Sequence, residues 1–148
     1  MATFKSDIYT TQSAVNSNNR ADGRLVAGKV RQATASYTLI NTESAADTIN
    51  LVELPTGCLI DPSRSFLQVE NPGTTLTVDV GFPSNTDSLT PTILTVSAGG
   101  KFMLDEAGAA SLVTVAAGDE LISITVVSEA SLTAGQVIRA VITYVDYN

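Results

Sequence analysis

Two pairs of adjacent carboxylates, Asp105-Glu106 and Asp119-Glu120, are the first residues in this sequence whose types could support catalysis. Paired carboxylates serve glycosidases as general acid and base, provided both converge on one bond. Neighbours on an extended chain point to opposite faces, and both pairs lie beside turn residues, so solvated charge is the expected role. A second candidate is calcium: Asn85, Asp87 and Ser88 put three oxygen-bearing side chains in one loop. The spaced aspartates and the glycine of a calcium loop are missing there. The run Ala98-Gly-Gly100-Lys101 lacks Walker spacing and reads as a turn. No His occurs anywhere in the chain, which removes Ser-His-Asp and Cys-His nucleophilic sites together with the commonest metal ligand. No enzyme activity, metal or cofactor is expected. The single cysteine, Cys58, sits in Gly57-Cys-Leu-Ile60, where a buried, inert thiol is the ordinary outcome. Aromatic residues make up only 5% of the chain, so no sugar-stacking platform is legible; Tyr37 and Phe66 are expected in the core.

The elements that would have to position any site are short strands. In Thr75-Leu-Thr-Val-Asp-Val80 the apolar side chains fall on one face and the polar ones on the other. Residues 119–128 repeat the pattern, with Ile122, Ile124 and Val126 on one side. Weaker versions occupy 34–40, 48–54, 64–70, 92–97 and 111–116. The last run, 136–147, is apolar on both faces, which predicts a central strand or one covered by a partner. Turn chemistry separates them: Leu54-Pro-Thr-Gly57, Asp61-Pro-Ser63, Asn71-Pro-Gly73, Phe82-Pro-Ser-Asn85, Ala98-Gly-Gly100 and Ala117-Gly-Asp119. A helical turn is allowed only within 101–110 and from Ser6 or Asp7. About eight strands without amphipathic helices predict an all-β sandwich, best matched by an eight-stranded jelly roll. An immunoglobulin-like sandwich is the nearest competitor, but its Cys, Trp and Cys hallmarks are absent.

The 148 residues suit one domain, and 44% hydrophobic against 16% charged residues is too apolar for disorder along most of the length. Residues 1–23 are polar and read as an N-terminal arm; 24–148 carry the strands and read as the sandwich domain. Eight basic against 15 acidic residues give a net charge of -7, which repels phosphate backbones and argues against nucleic-acid binding. No apolar run is long enough to span a bilayer, so no membrane partner is expected, and the N-terminus lacks the pattern of a secretion signal. Phe4, Ile8, Tyr9 and Val15 are apolar residues spaced through the polar arm, where they want cover.

The opening Met-Ala-Thr-Phe-Lys-Ser-Asp-Ile-Tyr9 carries a resemblance. So do Asp47-Thr-Ile-Asn-Leu-Val-Glu-Leu-Pro55, Asn71-Pro-Gly-Thr-Thr-Leu-Thr-Val-Asp-Val-Gly81 and Gly135-Gln-Val-Ile-Arg-Ala-Val-Ile-Thr-Tyr144. Together they resemble the capsid decoration, or cement, proteins of tailed bacteriophages. The resemblance lies in texture and short phrases and contains no catalytic signature. It implies a jelly roll, trimeric, made in the host cytoplasm and seated on the outer surface of the virion against the major capsid protein, with the N-terminal segment contacting the shell. Within that segment Phe4, Lys5, Ile8, Tyr9 and Arg20 are the candidate contact residues. Two other readings stay open: a receptor- or glycan-binding module of a tail fibre, which would normally show repeats or a shaft, and a glycosidase or lyase on a jelly-roll scaffold.

Overall fold

Runs of alternating β-branched and polar residues form strands here because each has a ladder partner on its edge and a core on one face. The computed structural model describes residues 29–90, 94–105 and 112–146. In chain order the strands are β1 Lys29–Thr38, β2 Thr48–Glu53, β3 Leu59–Ile60, β4 Phe66–Val69, β5 Gly73–Gly81, β6 Leu94–Thr95, β7 Gly100–Met103, β8 Val113–Thr114, β9 Leu121–Leu132 and β10 Val137–Asp146. A 3-10 turn, Pro62–Arg64, lies between β3 and β4, and no described residue is α-helical. Val30–Asp146 form one compact unit.

The strands pair into two antiparallel sheets, β7-β4-β10-β3-β8 with β1 on the other side of β10, and β2-β9-β5-β6. The first sheet has a simpler reading. Both β3 and β4 run along β10, with Ile138 facing Val69, Val141 facing Phe66 and Tyr144 facing Ile60. In the β4 register Tyr144 would face residue 63, so three residues are inserted, as many as the turn Pro62–Arg64 holds. Hence β3 and β4 are halves of one broken strand, and β7 and β8, which pair with them in turn, are halves of another. Counted this way there are eight strands, ordered first-eighth-third-sixth in one sheet and second-seventh-fourth-fifth in the other. That is the eight-stranded jelly roll the sequence predicts.

Local chemistry explains the break. The Asp61 side chain accepts from the Ser63 N–H at 3.1 Å and Pro62 opens the turn, its fixed φ suiting that position. The interrupted ladder is completed by side chains. Ser65 Oγ accepts from the Thr143 N–H at 2.9 Å and donates to Asp61 O at 2.7 Å, while Thr143 Oγ1 donates to Arg64 O at 2.9 Å. Ser65 and Thr143 are both buried, so every one of these groups needs its partner.

The core lies between the sheets: Ile60, Leu67, Leu76, Val78, Val80, Ile122, Ile124, Ile138, Ala140 and Ile142 are each at most 1% exposed. The last strand is central, as its two apolar faces predict, with Ile138, Ala140 and Ile142 inward. Residues 100–103 form β7, because the open edge of β4 offers them a ladder, while 106–110 of the 101–110 segment that could hold a helical turn fall outside the described residues. Two expectations need correction. Phe66 is not a core residue: it is half-buried on the outer face, where the Lys101 ammonium sits 3.9 Å from its ring centre. Across the ladder from Ser123 and Thr125, the face expected to be wet is partly closed, since Ser123 is buried and Asp79 and Thr125 are half-buried. The other helical turn, from Ser6 or Asp7, falls outside the described residues.

Candidate functional site

Asp119 and Glu120 resolve into structural roles. Asp119 accepts from the Ser84 N–H at 3.2 Å and the Ser84 hydroxyl at 2.7 Å, and Glu120 accepts from Thr56 Oγ1 at 2.6 Å and the Gly118 N–H at 2.9 Å. The two carboxylates thus diverge and tie different loops together; the Thr56 hydroxyl, then backbone N–H groups, hold the Glu120 carboxyl below its usual range. Glu106 lies outside the described residues. In the proposed calcium loop, main-chain bonds set the shape: Asn85 O accepts from the N–H groups of Phe82 at 2.9 Å and Ser88 at 3.3 Å, and Asp87 O from Thr90 at 3.0 Å. Among the described residues no three His, Cys, Asp or Glu side chains gather into a metal-ligating group. Cys58 is 2% exposed, and burial, reinforced by the charge of Asp146, pushes its thiol up to about 11, so it is the inert thiol expected.

Among the described strand residues, the carboxylate of Asp79 is under electrostatic stress. Its Oδ1 is buried without a hydrogen-bond partner, as is Thr125 Oγ1 on the facing residue. Burial, then the charge of Asp87, raises its pKa. A carboxyl raised in the folded state costs no stability below its unfolded value of about 3.9, and the cost grows as pH rises through the folded value. Asp79→Asn is therefore expected to melt above the wild type at pH 7, with the gap closing near pH 3.5. Thermal unfolding across that range checks it, and a gap that does not change with pH contradicts it.

A different acid, which no motif announces, has the geometry of a site. The loop joining β1 to β2 is pinned at both ends: Leu39 exchanges main-chain bonds with Gly135 and Gln136, and Ala46 and Asp47 with Val126, all at 2.8–2.9 Å. Within this loop Asn41 and Ala46 adopt left-handed backbone, φ 65° and 74°. The turn at Asn41, a residue type that tolerates this conformation, points the Ile40 N–H at Glu43 Oε1, 2.9 Å away. The Tyr37 hydroxyl donates to the same oxygen at 2.7 Å. Glu43 is 8% exposed. Burial alone would raise its pKa; the Ile40 N–H, the Tyr37 hydroxyl and the N–H groups of Glu43 and Asn41 outweigh that and lower it. Tyr37 shifts the opposite way, raised first by its bond to Glu43, so it stays protonated and keeps donating. Tyr37 therefore packs its ring against the core, as expected, and also serves the carboxylate with its hydroxyl.

Glu43 Oε2 has no hydrogen-bond partner although it is buried. The residue lines a cavity of about 440 Å³ together with Ile40, Thr42, Asp47, Thr48 and Asn50, and no Lys or Arg is among the described lining residues. An ionised carboxylate that lines an acceptor-rich hollow attracts cationic donors. The sequence trace of this site is slight: one turn-forming Asn and one Glu between two strands. The residues expected to contact a shell, Phe4, Lys5, Ile8, Tyr9 and Arg20, lie outside the described residues.

No family profile and no curated protein matches the sequence. Solved structures do share its fold. It is similar to a chain of the cyanophage Pam1 capsid asymmetric unit, at 20% identity and a TM-score of 0.61 over 80% of this chain and 86% of that one. A chain of the Ralstonia phage GP4 capsid gives 24%, 0.56, 80% and 84%, and one from the acidic stable capsid of Helicobacter pylori bacteriophage KHP30 gives 19%, 0.57, 80% and 89%. The jelly roll described above is thus a fold that this chain shares with chains in three phage capsids.

Proposed function

We propose that this chain is a structural protein of a tailed-phage virion, and within that class a decoration protein that binds the outside of the major capsid shell as a trimer. The observation that carries the reading is the fold likeness to chains of three phage capsids, which spans 84–89% of their lengths. The outer face of the first sheet supports self-association. Leu59, Phe66, Met103, Val141 and Val145 meet there across neighbouring strands, each only half-buried. Such a face supplies apolar area for a subunit contact. A ligand that binds only the assembled lattice stabilises that lattice by mass action, and three linked copies add avidity.

The 1–23 arm is the proposed shell contact, through Phe4, Lys5, Ile8, Tyr9 and Arg20. Apolar cover is expected to carry the affinity and charge to set the register. Replacing Phe4 and Tyr9 by Ala should release the protein from purified particles more completely than a wash in 1 M salt, since each aromatic contributes about 2 kcal/mol. Cryo-electron microscopy of particles with and without the protein should show density added outside the shell in threefold clusters. Density on the inner surface, or particles indifferent to the double substitution yet stripped by salt, defeats the reading.

A further inference from the structure

We infer that the Glu43 cavity is a receptor for an arginine side chain of another polypeptide. Glu43 is more than nine-tenths buried and ionised, with Oε1 committed to Ile40 and Tyr37 and Oε2 unpartnered. Asp47 also lines the cavity, and its Oδ2 is held by the N–H and hydroxyl of Ser44 at 2.8 and 3.1 Å. Thr42, Thr48 and Asn50 add neutral oxygens around them. Burying a carboxylate without full hydrogen bonding is costly, so the arrangement is stabilised by a ligand that brings donors and positive charge.

Shape selects among cations. A divalent metal needs six or more oxygens drawn tightly around it, whereas this hollow measures about 440 Å³ and holds two carboxylates, with no third His, Cys, Asp or Glu grouped with them among the described residues. An ammonium concentrates its donors at one point. A guanidinium spreads five N–H groups over a plane, which suits acceptors contributed by several residues. An apolar lining residue suits the rest of the side chain: Ile40, 58% exposed, lines the cavity, and the aliphatic stem of an arginine would cover it. Asn41 and Ala46 hold this loop in left-handed backbone, and the anchors at Gly135, Gln136 and Val126 keep it preformed.

The test is titration of the ¹⁵N-labelled full chain with Nα-acetyl-arginine N-methylamide, followed by amide chemical shifts. Shifts should centre on Ile40, Glu43 and Asn50, with a dissociation constant on the order of millimolar for the isolated side chain. The lysine analogue should bind several-fold more weakly. Glu43→Gln keeps an acceptor for Ile40 and Tyr37 but removes the charge, and should weaken binding about tenfold or more. Should that variant fail to fold, Thr48→Arg provides the second route: an arginine introduced at this lining residue should fill the cavity from within, abolish binding and raise the melting temperature. The inference is overturned by calcium chloride producing the same shifts at lower concentration, by equal binding of the arginine and lysine probes, or by Thr48→Arg leaving arginine binding intact. Binding of free arginine but not of the blocked form overturns the polypeptide source.

Discussion

Gly81→Ala is expected to lower stability by about 3 kcal/mol and the melting temperature by on the order of 10 °C. Gly81 ends β5 opposite Ser123 of β9 and is itself buried. A Cβ there would run into the carbonyl oxygen of Asn85 and come within 2.6 Å of the Thr86 carbonyl carbon, both of them main chain. The loop cannot step aside. Phe82 and Asn85 bond to each other across the turn at 2.9 and 3.1 Å, Leu89 bonds to Val80 at 3.0 Å, and Ser84 is tied to Asp119. Thr90, fully buried, holds the Val80 N–H with its hydroxyl at 2.8 Å. Gly118→Ala is the control: its φ of 93° disfavours a side chain, yet nothing lies within 4 Å, so only the conformational cost of about 1–2 kcal/mol applies. Chemical denaturation of the two variants separates collision from conformation, and equal losses would contradict the assignment.

The second large effect belongs to the central strand. Ile142→Ala should cost about 4 kcal/mol, because Ile142 is 0% exposed and the sheets around it cannot close on the lost volume. Val141, one position away, faces outward opposite Phe66 and is half-buried, so Val141→Ala should cost about 1 kcal/mol in the isolated protein. Urea unfolding at low protein concentration measures both. A Val141 effect that matches Ile142, under conditions where the protein is monomeric, would place the core on the wrong side of β10.

Where the fold was legible, one physical signal carried it. Leu76, Val78 and Val80 alternate with threonines and Asp79, and Ile122, Ile124 and Val126 alternate with Ser123 and Thr125, so the two long strands of the second sheet announce themselves. The broken strand did not. Leu59–Ile60 is too short to show a period, and Asp61-Pro-Ser63 looks like a turn between strands, whereas it is an insertion within one. β7 was hidden for another reason: Lys101-Phe-Met103 has no β-branched residue, and it is extended because the β4 edge is open beside it. The Glu43 site was the least legible. Its members lie six residues apart across a loop and meet only because Asn41 turns the chain left-handed.

The placement of β10 between β1 and the β3/β4 strand has a consequence for synthesis. Gln32 and Thr143, joined by a side-chain bond at 3.2 Å, lie 111 positions apart in the chain. A ribosome delivers β1 and β3/β4 long before the strand that bridges them, and at about 5–20 residues per second the wait is on the order of 5–20 s. Contact order this high makes the closing step slow, and two unpaired edges stay open to the wrong neighbour meanwhile. The residues of β1 answer that exposure. Lys29, Arg31, Gln32, Thr34 and Ser36 line an early strand with charge and hydroxyls, side chains that discourage intermolecular pairing while the nascent chain waits for its keystone.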